Sequence, residues 1–245
     1  MQKQDFSRNW RFHLGDLEWG RWGTQDYSTW RLLDLPHDWS IELPRDPKNV
    51  TGDSGGWFTM GVGWYQKSLE IKPEWRGRKI FVEFEGVYMN AMMWLNKHCL
   101  GRYPYGYTSF QHDLTPYLDW DGENSLKIFV DNSHQLNSRW YSGSGIYRPV
   151  WLIVADPVHV ARWGVSVTTP QVSVDTATVR ICTQVENESD TEKTVSLRTR
   201  IVTVDGLTVA SLEAKSKIGK GSRFEFEQET VVPHPKLWSP DSPNL

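Results

Sequence analysis

RWYSGSGIYRPVWL, residues Arg139 to Leu152, packs two different demands into one short stretch. Its first part carries an arginine, two adjacent aromatics and two glycines, the makings of an exposed rim on a tight backbone path. Its second part runs into PVWLIVAD (Pro149 to Asp156), an apolar β-branched run with no helical period. Working outward, WYQKSLEI (Trp64 to Ile71), RKIFVEFEGV (Arg78 to Val87), NAMMWLN (Asn90 to Asn96) and NSLKIFVDN (Asn124 to Asn132) each read as a strand with one face buried. Pro73, Gly77, Gly86, Gly101, Pro104 and the DGEN at Asp121 to Asn124 are predicted to lie in turns between them. The expected fold class is therefore all-β, with strand spacing that suits a jelly-roll sandwich better than a parallel α/β sheet.

The texture changes near Asp156 and Pro157. Beyond them aromatics thin out, and Thr, Val, Ser and Glu dominate segments such as ATVRICTQVEN and KTVSLRTRIVTVDG. Two domains are expected: a jelly-roll sandwich over 1–156 and a plainer immunoglobulin-like β-sandwich over 157–245, without the Cys…Trp…Cys pattern of antibody domains. The second sandwich looks one closing strand short, so the chain reads as part of something longer.

With 27 basic and 30 acidic side chains the net charge is −3, and no basic block or acidic tail occurs. That composition disfavours nucleic acid and anionic membrane as partners and favours a neutral one. Aromatics make up 13% of the chain, 14 of them tryptophans. Tryptophan suits both a sandwich core and a surface that stacks on sugar rings, and for each one the core is the default expectation. Cys99 and Cys182 fall in different predicted domains, give no disulfide framework or metal motif, and are expected as small buried hydrophobes. The N-terminal MQKQDFSRNWRF lacks a signal-peptide apolar core, and no run reaches membrane-spanning length. The compartment stays open, and a homo-oligomer is possible.

Catalytic patterns are absent. Glycoside hydrolysis needs two carboxylates, about 5–5.5 Å apart for retention and about 6.5–9.5 Å for inversion. The acids here are scattered singly, and Glu83 and Glu85 on one face of a strand read as a solvated pair. SGSG at Ser142 to Gly145 lacks the strand-turn-helix context of a nucleophile elbow. The seven histidines show no metal-ligand spacing, so neither metal nor cofactor is expected. The loop TGDSGGWFTMGVGW (Thr51 to Trp64), with five glycines, is long enough to reach away from its own sandwich.

Taken with LPHDWSIE (Leu35 to Glu42), GVGWYQKSLEI (Gly61 to Ile71), FEGVYMNAMMWLN (Phe84 to Asn96) and GRYPYGYTSFQHDLTPYL (Gly101 to Leu118), the run NSRWYSGSGIYRPVWL resembles the N-terminal sugar-binding domain of glycoside hydrolase family 2, especially its β-galactosidase-like members. The part from Val158 to the closing LWSPDSPNL resembles the immunoglobulin-like second domain of that family. The resemblance implies that the catalytic glutamates belong to a following TIM barrel, so no residue of this chain is expected to be catalytic. It implies a retaining exo-β-glycosidase parent acting on a β-galactoside or related glycan, with this chain shaping the sugar subsite and supporting the barrel. Arg139 stands where some members carry an acid, and with Trp140 and Tyr141 it is the implied substrate rim. Asp53 and Trp57 in the glycine-rich loop, then His37 and Asp38, are further rim candidates. Arg148 is expected as a buried tether paired with a carboxylate. The rival readings are a stand-alone carbohydrate-binding module and an adhesin-like tandem sandwich.

Overall fold

The computed structural model describes residues 1–17 and 25–244, so Trp19, Trp22 and Leu245 lie outside the described residues. The chain is all-β and divides into two compact units, Met1–Ala155 and Asp156–Leu245.

The first unit is a sandwich of two antiparallel sheets. One has the order β1 (Gln2–Asp5), β10 (Val150–Ala155), β5 (Lys79–Phe84), β8 (Phe110–Asp113). The other has six strands: β3 (Arg31–Leu33), β2 (Trp10–Leu14), β4 (Gly61–Leu69), β9 (Asn124–Asn132), β6 (Ala91–Leu95) and β7 (His98–Tyr103). Period-two alternation turns Ile80, Val82 and Phe84 of β5 inward, where they meet Trp10, Tyr65, Met93, Leu126 and Ile128 from the facing sheet. In β9 both faces are covered. Leu126, Ile128 and Val130 join that core, while Phe129 on the opposite face packs with Trp30, Trp64 and Trp94 in a second aromatic cluster.

Trp10, Trp30, Trp39, Trp64, Trp75, Trp94 and Trp120 serve this packing. Trp10, Trp39, Trp64 and Trp94 are fully buried, and each such ring is worth about 5 kcal/mol of transfer free energy. Trp140, Trp163 and Trp238 are exposed. Gly101 lies inside β7 rather than in a turn, at a bulge opposite Met93 and Trp94 that its positive φ of 141° permits. Cys99 is exposed and Cys182 half-buried; both are free thiols. Cys99 departs from the buried-hydrophobe expectation because β7 is the edge strand of its sheet, where a face need not be covered.

The second unit has a three-stranded sheet, β11 (Val158–Val172), β12 (Thr176–Asn187) and β15 (Ser222–Pro233), and a two-stranded one, β13 (Lys193–Val202) and β14 (Thr208–Ile218). A small core of Val185, Ile218 and Phe226, flanked by Val158, Val160, Val195 and Leu197, joins the two sheets. No helix among the described residues is long and apolar enough to cross a membrane.

Candidate functional site

Gly61 at the start of β4 pairs with Asn132 at the end of β9, so the chain entering β4 and the chain leaving β9 lie at one end of the first sandwich. Asp38 ties them together. It caps the short turn Trp39–Glu42, and its Oδ1 accepts from the backbone N–H of Ser40 at 3.0 Å and of Ser144 at 2.8 Å. Its Oδ2 accepts from the Tyr141 hydroxyl. Burial, reinforced by this carboxylate, pushes the Tyr141 phenol far above its ordinary pKa, so it stays a protonated donor. Behind Asp38 the Ser40 hydroxyl donates to Ser144 Oγ at 2.7 Å, and Asn132 Nδ2 donates to the same oxygen at 2.9 Å. The Met60 thioether lies 3.3 Å from all three and accepts from the Ser144 hydroxyl and from Asn132 Nδ2.

The backbone of the opening stretch is held equally closely. His37 N–H donates to Ile146 O at 2.8 Å and Trp39 N–H to Ser144 O at 3.1 Å. A Cβ on Gly145, at φ 125°, would run into the Tyr65 hydroxyl and would stand 2.8 Å from His37 O. Ile146 enters the core, while Tyr147 is half-buried and donates to Gly106 O at 2.8 Å. Arg148 does reach a carboxylate, Glu85 at 3.7 Å, but its side chain is half-exposed rather than buried. It lies in a bend just before β10, where its stem can still snorkel while its head stays in water.

His37 points into the domain. Arg31 grips Glu42 with two hydrogen bonds of 2.8 and 2.7 Å and also donates to His37 Nε2 at 2.9 Å. Because an arginine can only donate, Nε2 is the acceptor, and Nδ1 carries the hydrogen toward the Tyr65 oxygen at 2.7 Å. Desolvation lowers the His37 pKa against the opposing pull of Glu42, and the Arg31 fork holds the Glu42 carboxyl below its usual range.

The outward-facing groups are aromatic. Arg139 and Trp140 are exposed, and Trp140 Nε1 donates to the Tyr107 hydroxyl at 3.2 Å. Tyr107 meets Tyr88 and Tyr105 edge-on, with ring centroids 5.2 and 5.5 Å apart. Tyr141 turns inward instead, against Phe58 at 4.6 Å. In the glycine-rich loop Asp53 is exposed and its carboxylate accepts from the adjacent Ser54 N–H, at 2.8 Å. Trp57 is half-buried at φ 60°, its carbonyl accepting from Asp46 N–H and Asn49 Nδ2. The fold thus joins Asp38, Tyr141 and the Phe58 side of the loop, and sets Trp140 beside Tyr107, which in turn meets Tyr105. Sequence reasoning missed Tyr105, Tyr107 and the Asn132–Ser144–Met60 cluster. The YPYGY run (Tyr103 to Tyr107) was a visible signal for the first two; the cluster had none, since its members are far apart in the chain.

Acids elsewhere are engaged or on surfaces. Among the described residues no aspartate or glutamate is fully buried. Glu83 and Glu85 are more enclosed than a solvated pair: Lys3 reaches Glu83 at 2.8 Å, and Trp151 Nε1 donates to Glu85 at 2.7 Å. In the second unit His159, Glu186 and Glu188 bring ligand atoms within 4.8 Å of one another, as do Cys182, Glu225 and Glu227. Arg223 already pairs with Glu186 at 2.6 Å, and His159 Nδ1 faces Asp156 O at 2.9 Å, so the first group reads as a cross-strand ion-pair row.

The model for the sugar binding domain of glycosyl hydrolases family 2 matches residues 49–156, and a second model of glycosyl hydrolases family 2 matches residues 158–245. The beta-galactosidase BoGH2A of Bacteroides ovatus is 44% identical over 245 residues, covering 100% of this chain and 29% of its own length. A putative beta-glucuronidase of Formosa agariphila is 34% identical over 241 residues, covering 98% of this chain and 22% of its own. A crystal structure of a glycosyl hydrolase family 2 member from Bacteroides cellulosilyticus superposes with a TM-score of 0.91 at 37% identity, covering 99% of this chain and 32% of that one. A Bacteroides uniformis beta-glucuronidase superposes with a TM-score of 0.86 at 28% identity, covering 98% and 29%. The chain therefore spans less than a third of the length of these curated relatives.

Proposed function

The chain belongs to glycosyl hydrolase family 2, and on that premise we propose that it is the non-catalytic portion of a retaining exo-β-glycosidase, most naturally a β-galactosidase. In this reading a TIM barrel elsewhere in the parent carries the two carboxylates, and the first unit trims the sugar subsite at the barrel mouth. The observation that carries it is the Asp38 clamp. One carboxylate fixes Ser40, Tyr141 and Ser144, and so holds the segment that presents Arg139 and Trp140 to solvent. Such a scaffold suits a rim, because a residue that contacts a reacting sugar must be held closely in place to matter in a transition state. Arg139 supplies guanidinium donors for sugar oxygens and Trp140 a stacking face. Asp53 and Trp57 extend the same rim, while His37 and Asp38 act as its support rather than as sugar contacts. The partner is a neutral glycan together with the parent's own barrel.

The test is hydrolysis by this chain of aryl β-galactoside and aryl β-glucuronide. No turnover above blank is expected, and turnover would mean that a reactive carboxylate pair lies within these 245 residues. The exposed Tyr105, Tyr107 and Trp140 also suit a stand-alone carbohydrate-binding module. That reading requires calorimetric affinity for galactose without a barrel, whereas an incomplete rim binds monosaccharides too weakly to measure.

A further inference from the structure

The opposite end of the first sandwich holds a cleft. β4 and β9 pair along their whole length, from Gly61 with Asn132 at the Asp38 end to Leu69 with Asn124 at the other. Nine residues of strand separate the two ends by about 27 Å. At the far end lies a cleft of about 500 Å³, within the range of small-molecule sites. Its floor is the outer face of β4 and β9, where the aromatic pair Trp64 and Phe129 gives way to the pairs Gln66–Lys127 and Ser68–Ser125, of which Gln66, Ser68 and Ser125 line the cleft.

Those three groups are arranged rather than incidental. Gln66 is 3% exposed, and burying an amide on a sheet face is costly unless it is bonded. Its Nε2 donates to Ser68 Oγ at 3.2 Å and to Ser125 Oγ at 3.0 Å. Each serine hydroxyl accepts from the amide, so its own hydrogen is directed away from Gln66. Ser125 faces the Tyr27 phenol, which forms one wall and whose ionisation burial pushes upward in pH. The other wall is Trp120, held by Arg76, which donates to its carbonyl at 3.3 Å and lays its guanidinium 5.9 Å from the ring centroid. Glu70 and Glu123 stand exposed at the mouth.

We propose that this cleft is a second glycan-binding site, distinct from the rim at the Asp38 end, and that it takes neutral oligosaccharides. Hydroxyls and an amide on the floor match a polyol, aromatic walls match the apolar faces of sugar rings, and carboxylates at the mouth accept from sugar hydroxyls. The same carboxylates repel acidic sugars. A site there holds a polymer while another part of the molecule acts on it. The inference does not depend on what the Asp38 end does.

The experiment is an NMR titration of the 245-residue chain, following backbone and tryptophan indole N–H signals. The probes are β-1,4-galactotetraose and, as the acidic counterpart, tri-galacturonic acid, each to about 10 mM, which saturates a site with a Kd near 1 mM. Galactotetraose is expected to shift the Trp120 indole and the amides of residues 66–70 and 121–125, with tri-galacturonic acid at least tenfold weaker. Ser68→Ala and Glu123→Gln, at exposed positions that leave the core intact, are expected to weaken the shifts several-fold, while Trp140→Ala leaves them unchanged. Shifts confined to Trp140, Tyr105 and Tyr107, equal or stronger binding of the acidic probe, or unaltered binding in both cleft variants would each overturn the proposal.

Discussion

Replacing Asp38 by alanine removes three accepted hydrogen bonds at once. The N–H groups of Ser40 and Ser144, in residues that are 0% exposed, lose their partner, and the Tyr141 hydroxyl is left facing an empty corner. A buried donor left unsatisfied costs about 1–3 kcal/mol, and the three are too closely coupled to add in full, so a loss of about 3–5 kcal/mol is expected. Stabilities of such domains are about 5–15 kcal/mol, so this is a large fraction of the whole. Urea unfolding monitored by tryptophan emission reports the first unit, because the fully buried rings Trp10, Trp39, Trp64 and Trp94 all belong to it. With an m-value of about 2 kcal/mol/M the midpoint should fall by about 2 M. Asp38→Asn keeps an oxygen for the two backbone N–H groups and obliges Tyr141 to accept instead of donate, so about 1–2 kcal/mol is expected. An Asp38→Ala midpoint within about 0.5 M of the parent chain, equivalent to about 1 kcal/mol, would mean that the clamp does not hold the rim segment.

Gly145→Ala should be worse tolerated than any other glycine change in the opening run, costing more than about 3 kcal/mol, because its φ is positive and its Cβ meets Tyr65 and His37; soluble yield and melting temperature check this. His112 is desolvated to a pKa of about 4, and its Nε2 has no hydrogen-bond partner. A base whose folded pKa is depressed leaves the unfolded chain with more protons, so stability is full above pH 6.5 and declines as the pH falls toward 4. After allowance for partial exposure, about 2 kcal/mol is lost across that window. Unfolding free energies at pH 7 and pH 4 should therefore differ less in His112→Gln than in the parent chain. Trp140→Ala, at a side chain 59% exposed, should change stability by less than about 0.5 kcal/mol while removing the donor to Tyr107; a larger loss in the melt would make Trp140 a packing residue rather than a rim.

The strands were legible where period-two alternation was strong. NSLKIFVDN coincides with β9 from Asn124 to Asn132, and RKIFVEFEGV contains β5 within one residue of its start. Short β3 and β8 escaped notice, since three or four residues carry too little pattern to separate a strand from a loop. Gly101 was misread because a glycine in a bulge and a glycine in a turn look the same in one dimension. At the candidate site, LPHDW and RWYSGSGIYR mark Asp38 and Tyr141 as candidates, but do not say that the two touch across 103 residues.

Alternation, turn residues and aromatic wealth are local properties, and they sufficed to determine an all-β chain of two sandwiches and to bring its family into view. Which polar groups meet is a long-range matter. Asp38 with Tyr141 and Ser144, Asn132 with Met60, and Gln66 with Ser125 are each joined by strand pairing that closes loops of dozens of residues. Only the register of β4 against β9 decides that one end of the sandwich carries the Asp38 clamp and the other an amide-floored cleft. The physical reason is that side-chain chemistry is written residue by residue, whereas proximity is set by the one packing arrangement that buries both faces of that sheet.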